Sequence, residues 1–194
     1  MRVAIIGALA GLTAASPAMA EPIRLTDALG RAVELSAAPR RVVTIFSSNT
    51  ELVAVLGLTD RIVGIDAFTR YPPEAANKPV VGGRLGFSVD AVVAQNPDLV
   101  LVTPARQAVH QLLAPMERLG LPVIVLTSRS LDEVLGNIRL VGRALGEAER
   151  GEAVAAGLEA RLAAVARRLA GTVCPRTILV TGRLGNGLLL VARQ

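Results

Sequence analysis

Four short, predominantly apolar runs set the terms for this chain: Val42-Val43-Thr44-Ile45-Phe46, Ile62-Val63-Gly64-Ile65, Leu99-Val100-Leu101-Val102 and Val123-Ile124-Val125-Leu126. A strand with one wet face alternates apolar and polar side chains, whereas a strand covered on both faces reads as a continuous apolar run. Between these runs lie segments with helical periodicity. Ser48-Asn49-Thr50-Glu51 and Ser130-Leu131-Asp132-Glu133 each place a Ser three residues before a Glu, the pattern of a capping box that opens a helix. After the second, Leu131, Val134, Leu135, Ile138, Val141 and Leu145 fall on one helical face. A helix is also predicted around 107–118, and a short one over 89–94 capped by Ser88. Strands and helices in alternation predict an α/β fold, a Rossmann-like lobe whose parallel sheet carries helices on both sides.

The ends of the chain add to this lobe. Pro22–Thr26 and Ala32–Leu35 flank a turn at Gly30 and predict a hairpin. Residues 66–88, with Pro72, Pro73, Gly82, Gly83 and Gly86, are predicted to be irregular. From Glu147 to Ala170 no proline occurs, and Val154, Leu158, Leu162, Val165 and Leu169 recur at helical spacing. A helix of that length spans roughly 36 Å. Arg176–Thr181 and Leu188–Val191 then predict two strands around Gly185-Asn186-Gly187, too few to stand as a domain.

Met1-Arg2 followed by an uncharged stretch to Ala18-Met19-Ala20 has the form of a secretory leader cleaved after Ala20. The stretch is rich in Ala and Gly and contains Pro17, unlike a membrane span of about 20 strongly apolar residues. Loss of Arg2 with the leader lowers the formal net charge from +5 to +4. The cations are spread along the chain and only four aromatic rings occur, one Tyr and three Phe. Nucleic-acid binding, which combines clustered cations with stacking rings, is not expected. A single cysteine, Cys174, excludes an internal disulfide, and a single histidine, His110, argues against zinc or manganese sites built from several imidazoles. A Rossmann-type enzyme is the alternative class. The glycines at 82–86 and 182–187 do not form the dinucleotide fingerprint, and no phosphate loop or nucleophile motif occurs.

Several segments together carry a resemblance. They are Arg40-Arg41-Val42-Val43 leading to Asn49-Thr50-Glu51-Leu52; Arg61–Ile65 with Tyr71-Pro72-Pro73-Glu74-Ala75; Val81-Gly82-Gly83 to Asn96-Pro97-Asp98-Leu99-Val100; and Leu119–Val123 with its capped helix. In this order and spacing they resemble the substrate-binding proteins of bacterial ABC importers for iron–siderophore complexes, haem and vitamin B12. The resemblance runs from about residue 22 to about 182 and implies two α/β lobes joined by one long helix, with ligand between them. It divides the chain into a leader (1–20), an N-terminal ligand-binding lobe (21–146), a linking helix (147–170) and the beginning of a second lobe (176–194). On this reading the chain stops before its cleft is complete, as a fragment or as a truncated product.

The resemblance also implies roles. Ser47-Ser48-Asn49 would face the cleft, as would Phe68, which falls where relatives set a ring against ligand. Arg84 matches an arginine that contacts chelate oxygens in hydroxamate binders, and a guanidinium suits anionic oxygens. Arg106 would reach the same rim. Asp90 matches an acidic residue that pairs with permease arginines. The expectation is a monomeric, non-enzymatic periplasmic protein with no cofactor of its own. It would deliver a ferric siderophore, with vitamin B12 next and haem last, to a permease in the inner membrane. Haem ranks last because Tyr71, the one tyrosine, lies in the Pro-Pro motif rather than in the loop at 82–88.

Overall fold

A computed structural model describes residues 21–83, 86–103, 108–173, 175–176, 179–184 and 187–191. The leader expected at 1–20 lies outside them. The apolar runs form strands β3 (Val42–Ile45), β4 (Ile62–Asp66), β7 (Leu99–Val102) and β8 (Val123–Val125) of one six-stranded sheet. Its order is β6-β5-β4-β3-β7-β8, completed by β5 (Val80–Gly83) and β6 (Gly86–Phe87). All neighbours are parallel except β6, which runs antiparallel on the edge. Every residue of β3, β7 and β8 is buried, which is why these strands lack alternation.

Helices cover both faces. On one, Val43, Ile45, Val100, Val102 and Val125 pack with Val92 of α3 (Val89–Val93) and with Leu113 and Met116 of α4 (Ala108–Arg118). On the other, α1 (Ser47–Val55) lies against β3 and β4 and meets α5 (Leu131–Ala144). The one polar residue of β3, Thr44, is satisfied there by the Thr50 hydroxyl at 2.7 Å, as a buried hydroxyl requires.

The hairpin of β1 (Ile23–Thr26) and β2 (Ala32–Leu35) forms as expected, with Gly30 at φ 76° in its turn. It also closes the β8 edge, since an uncovered edge strand presents unpaired backbone groups. Ala28 N–H donates to the Val125 carbonyl, the buried Asp27 carboxylate accepts from Val125 N–H, and Arg31 donates to the Val123 carbonyl.

Four expectations need correction. Residues 66–88 are not wholly irregular: they contain α2 (Pro73–Ala76), β5 and β6. Gly82, which looks like a breaker, lets β6 approach, because a Cβ there would lie 2.2 Å from Phe87 Cδ1. Ser48 does not cap α1; Phe46 holds the cap position and no side chain caps the helix. Ser130 and Ser88 do cap, accepting from Glu133 N–H and Ala91 N–H. Glu133 reaches back one residue further than a capping box requires, to Arg129 N–H at 2.8 Å. That bond, followed by the Arg129 guanidinium, holds the Glu133 carboxyl below its ordinary value. Leu131 is exposed rather than part of the core face of α5. Finally, the predicted long helix is α6 (Ala148–Leu169), but only Gly151 and Ala155 of it are buried. Leu162, Val165 and Leu169 of its expected apolar stripe stand exposed.

Contacts divide the chain into two units after Ala155, inside α6. In the first, α5 and α6 touch backbone to backbone, Gly142 against Gly151. In the second, β9 (Leu179–Leu184) and β10 (Gly187–Val191) pair antiparallel with a register shift at Leu189/Leu190.

Candidate functional site

In this sheet the chain order reverses beside β3: β4 and β5 extend to one side, while β7 returns to the other. Loops leaving the carboxyl ends of strands at such a reversal frame a crevice, the usual ligand position in an open α/β sheet. Asn49 ties the two sides together. Its amide donates to the Ile45 carbonyl at 2.6 Å and accepts from the Thr103 hydroxyl at 3.0 Å, so the end of β3 is fastened to the end of β7. Asn49 is 1% exposed, and both ends of its amide are engaged, so it positions the crevice rather than lining it. Thr103 was missed in the sequence, where its only signal is being the first polar residue after the run 99–102.

Phe46, between β3 and α1, has φ 82°. For a residue with a Cβ this is a sparsely populated conformation that costs on the order of 1–3 kcal/mol. It leaves the ring 42% exposed, 6.3 Å from the ring of Phe87 and tilted to it. At the end of β4, the buried Asp66 carboxylate accepts from Phe68 N–H at 2.6 Å and from the Thr69 hydroxyl at 2.8 Å. This Asx turn fixes a loop in which Phe68 is 59% and Tyr71 64% exposed. Phe68 is therefore a surface ring, not part of the core.

Ser47 is half-buried and Ser48 exposed at the start of α1. They line a cavity of about 350 Å³ together with Glu51, Leu52, Val55 and Ser128. A second cavity of about 300 Å³ shares Glu51 and Val55 and adds Tyr71 and Glu74. Asp90 is exposed in the first turn of α3, a helix packed beside β5, and lines neither of these cavities. Arg84 and Arg106 lie outside the described residues. Among the described residues no group of three or more His, Cys, Asp or Glu side chains is placed to hold a metal.

A doubly wound lobe whose described strand-end loops present rings and hydroxyls around a crevice has the form of a ligand-binding α/β domain. Comparison with known proteins makes the class specific: residues 42–193 match the periplasmic binding protein family, and the chain belongs to it. This is a family of binding proteins, not of enzymes. The chain is 31% identical over 150 residues to a vitamin B12-binding protein of Salmonella choleraesuis, covering 77% of this chain and 55% of that one. It is 27% identical over 143 residues to an uncharacterised ABC transporter substrate-binding lipoprotein of Bacillus subtilis, covering 73% and 45%. Among solved structures, a periplasmic heme binding protein from Pseudomonas aeruginosa superposes with a TM-score of 0.67 at 28% identity, covering 78% of this chain and 56% of that one. The chain spans about half the length of the curated relatives it matches.

Proposed function

We propose that this chain supplies the N-terminal lobe (21–146) of an exported binding protein that captures a flat metal macrocycle, a corrinoid or a haem, and delivers it to an ABC permease. The observation that carries this reading is where the rings stand. In a chain with four aromatic residues, Phe46, Phe68 and Tyr71 are all exposed in the segments that leave β3 and β4, and Phe87 contacts Phe46. Exposed rings at a crevice suit a ligand with an extended apolar face, because stacking contact and apolar burial act together. The strain at Phe46 fits the same use, since sparsely populated backbone conformations gather at ligand sites.

This reading reorders the sequence-based expectation, which put a ferric siderophore first on the strength of Arg84. Two of the relatives support the change, one a vitamin B12-binding protein and the other a heme binding protein. Residues 1–20 act in this proposal as a cleaved leader, 147–170 as the linking helix and 176–194 as the start of a second lobe. Ser47, Ser48 and Phe68 contact ligand, with Arg84 and Arg106 at the rim. Asp90, exposed at the start of α3, meets cationic side chains of the permease.

The test uses the chain's own reporter. There is no tryptophan and one tyrosine, so intrinsic fluorescence comes from Tyr71, beside the crevice. Titration with cyanocobalamin, haemin and a ferric hydroxamate is expected to quench it with either macrocycle, alongside a shift in the macrocycle's absorbance. A response to the hydroxamate alone would return the siderophore to first place, and no response to any of the three would sink the reading.

A further inference from the structure

The groove between α5 and the β1–β2 hairpin contains an amide oxygen that accepts from no donor. The groove has a volume of about 360 Å³ and shares no lining residue with the two cavities along α1. Glu133, Gly136, Asn137, Leu140 and Arg143 recur at helical spacing along one wall, and Thr26, Asp27 and Ala28 stand on the other. Asn137 is 6% exposed. Its side chain donates to the Thr127 carbonyl at 2.7 Å, and a carbonyl only accepts, so the NH2 is the end that points there. The same NH2 lies 3.3 Å from the Ser128 hydroxyl. Among the described residues nothing donates to the remaining oxygen. Every fully buried side-chain polar atom of the described residues has a partner, so this unpartnered oxygen reaches the open groove. An acceptor left unmet in so buried a residue costs stability until a donor arrives.

Charge in the groove is unbalanced as well. The Asp27 carboxylate is engaged by Leu29 N–H, Val125 N–H and the Arg31 guanidinium, and Glu133 by Arg129. Arg143 is exposed, and among the described residues its guanidinium has no partner. The groove therefore offers one unmet acceptor and one unmet cation, with Leu140 one turn from each. Six residues of helix separate Asn137 from Arg143 by about 9 Å along the axis, and helical side chains lean back towards the N-terminus, which shortens the gap. An extended peptide advances about 3.3 Å per residue, so a terminal carboxylate at Arg143 sets an N–H two or three residues earlier against the Asn137 oxygen. We propose that this groove is a second binding site, one that takes the free carboxyl end of a short extended peptide. Arg143 pairs with the carboxylate, and Asn137 Oδ1 accepts from a backbone N–H. Gly136 keeps the groove open. A Cβ on it would meet nothing within 4 Å, so α5 tolerates a larger residue there while a peptide does not.

The experiment titrates N-acetyl-trialanine into the full, nitrogen-15-labelled chain and follows its amide signals, the Asn137 side-chain NH2 among them. Two further probes separate the contacts: N-acetyl-trialanine amide lacks the terminal charge, and propionate lacks the N–H donor. The acid is expected to give saturable shifts at Gly136, Asn137 and Arg143, and both control probes to bind at least about tenfold more weakly, the scale of losing one hydrogen bond to a charged group or one buried acceptor's partner. Arg143→Gln should weaken the acid about tenfold and leave the amide probe unchanged. Gly136→Leu should abolish binding of the acid while melting at or above the parent chain, because leucine is the better helix former. Absence of a saturable shift with the acid, equal binding of acid and amide, or binding that survives Gly136→Leu would each overturn the site. None of these results bears on the macrocycle reading, since the groove and the cavities along α1 have no residue in common.

Discussion

Phe46 shows how a single residue ties local strain to the proposed use of the crevice. Its φ of 82° is one that glycine adopts freely, so Phe46→Gly removes the strain together with the ring. Stability is expected to stay within about 1 kcal/mol of the parent chain, because relief of the backbone offsets the greater entropy of an unfolded glycine. Affinity for a macrocycle is expected to fall about tenfold, the scale of losing most of one side chain's apolar contact. Paired denaturant melts and ligand titrations check this. A large loss of stability with unchanged affinity would make Phe46 a structural residue. The capping pattern at Ser48 misleads for a related reason: the turn out of β3 places Phe46, not Ser48, at the helix boundary, and a tertiary bond at Asn49 holds that turn. Capping boxes are read from spacing along the chain, whereas the Asn49–Thr103 bond joins residues far apart in sequence, so only the folded sheet reveals it. That Phe68 stands outside the core was legible, because an aromatic in a polar loop has no core to enter.

At the scale of elements, the buried strands and the capped helices were legible because burial on both faces writes itself into the sequence. Strand β5 was not, since Val80-Val81-Gly82-Gly83 carries too little side chain to look like a strand, and Gly82 admits Phe87 while Gly83 lies against Ala67. The α5–α6 crossing depends on glycines in the same way. A Cβ on Gly142 would lie 2.9 Å from Gly151 Cα and 3.0 Å from the Glu147 carbonyl oxygen. Both are backbone atoms that cannot rotate aside. Alanine is the better helix former by about 1 kcal/mol, yet forcing atoms into a packed contact costs typically about 1–3 kcal/mol. Gly142→Ala is therefore expected to destabilise the chain by about 1 kcal/mol or more in chemical denaturation. Gly157, whose added Cβ would meet nothing within 4 Å, serves as the control: Gly157→Ala should stabilise the chain or leave it unchanged.

Over the whole molecule, burial is unevenly shared, and α6 crosses the boundary between the two units at Ala155. Its first turns are held by the Gly142–Gly151 contact and by the Arg139–Glu152 ion pair at 2.8 Å. Beyond Ala155 no residue of the helix is buried. An isolated helical segment of this length is marginal in water, because most helix stability in proteins comes from tertiary packing. Opening free energy should therefore differ along one continuous helix. In the 194-residue chain, amide hydrogen exchange is expected to be slowest in β3, which is flanked by β4 and β7 and wholly buried. It should be intermediate over residues 151–155 and at least about tenfold faster over 158–169 than over 151–155. Leu162, Val165 and Leu169 recur on one face and are exposed, so a surface that covers them would slow exchange in the distal turns specifically. Uniform protection from 151 to 169 in the chain alone would mean that this face is covered in solution, contrary to the exposure described here.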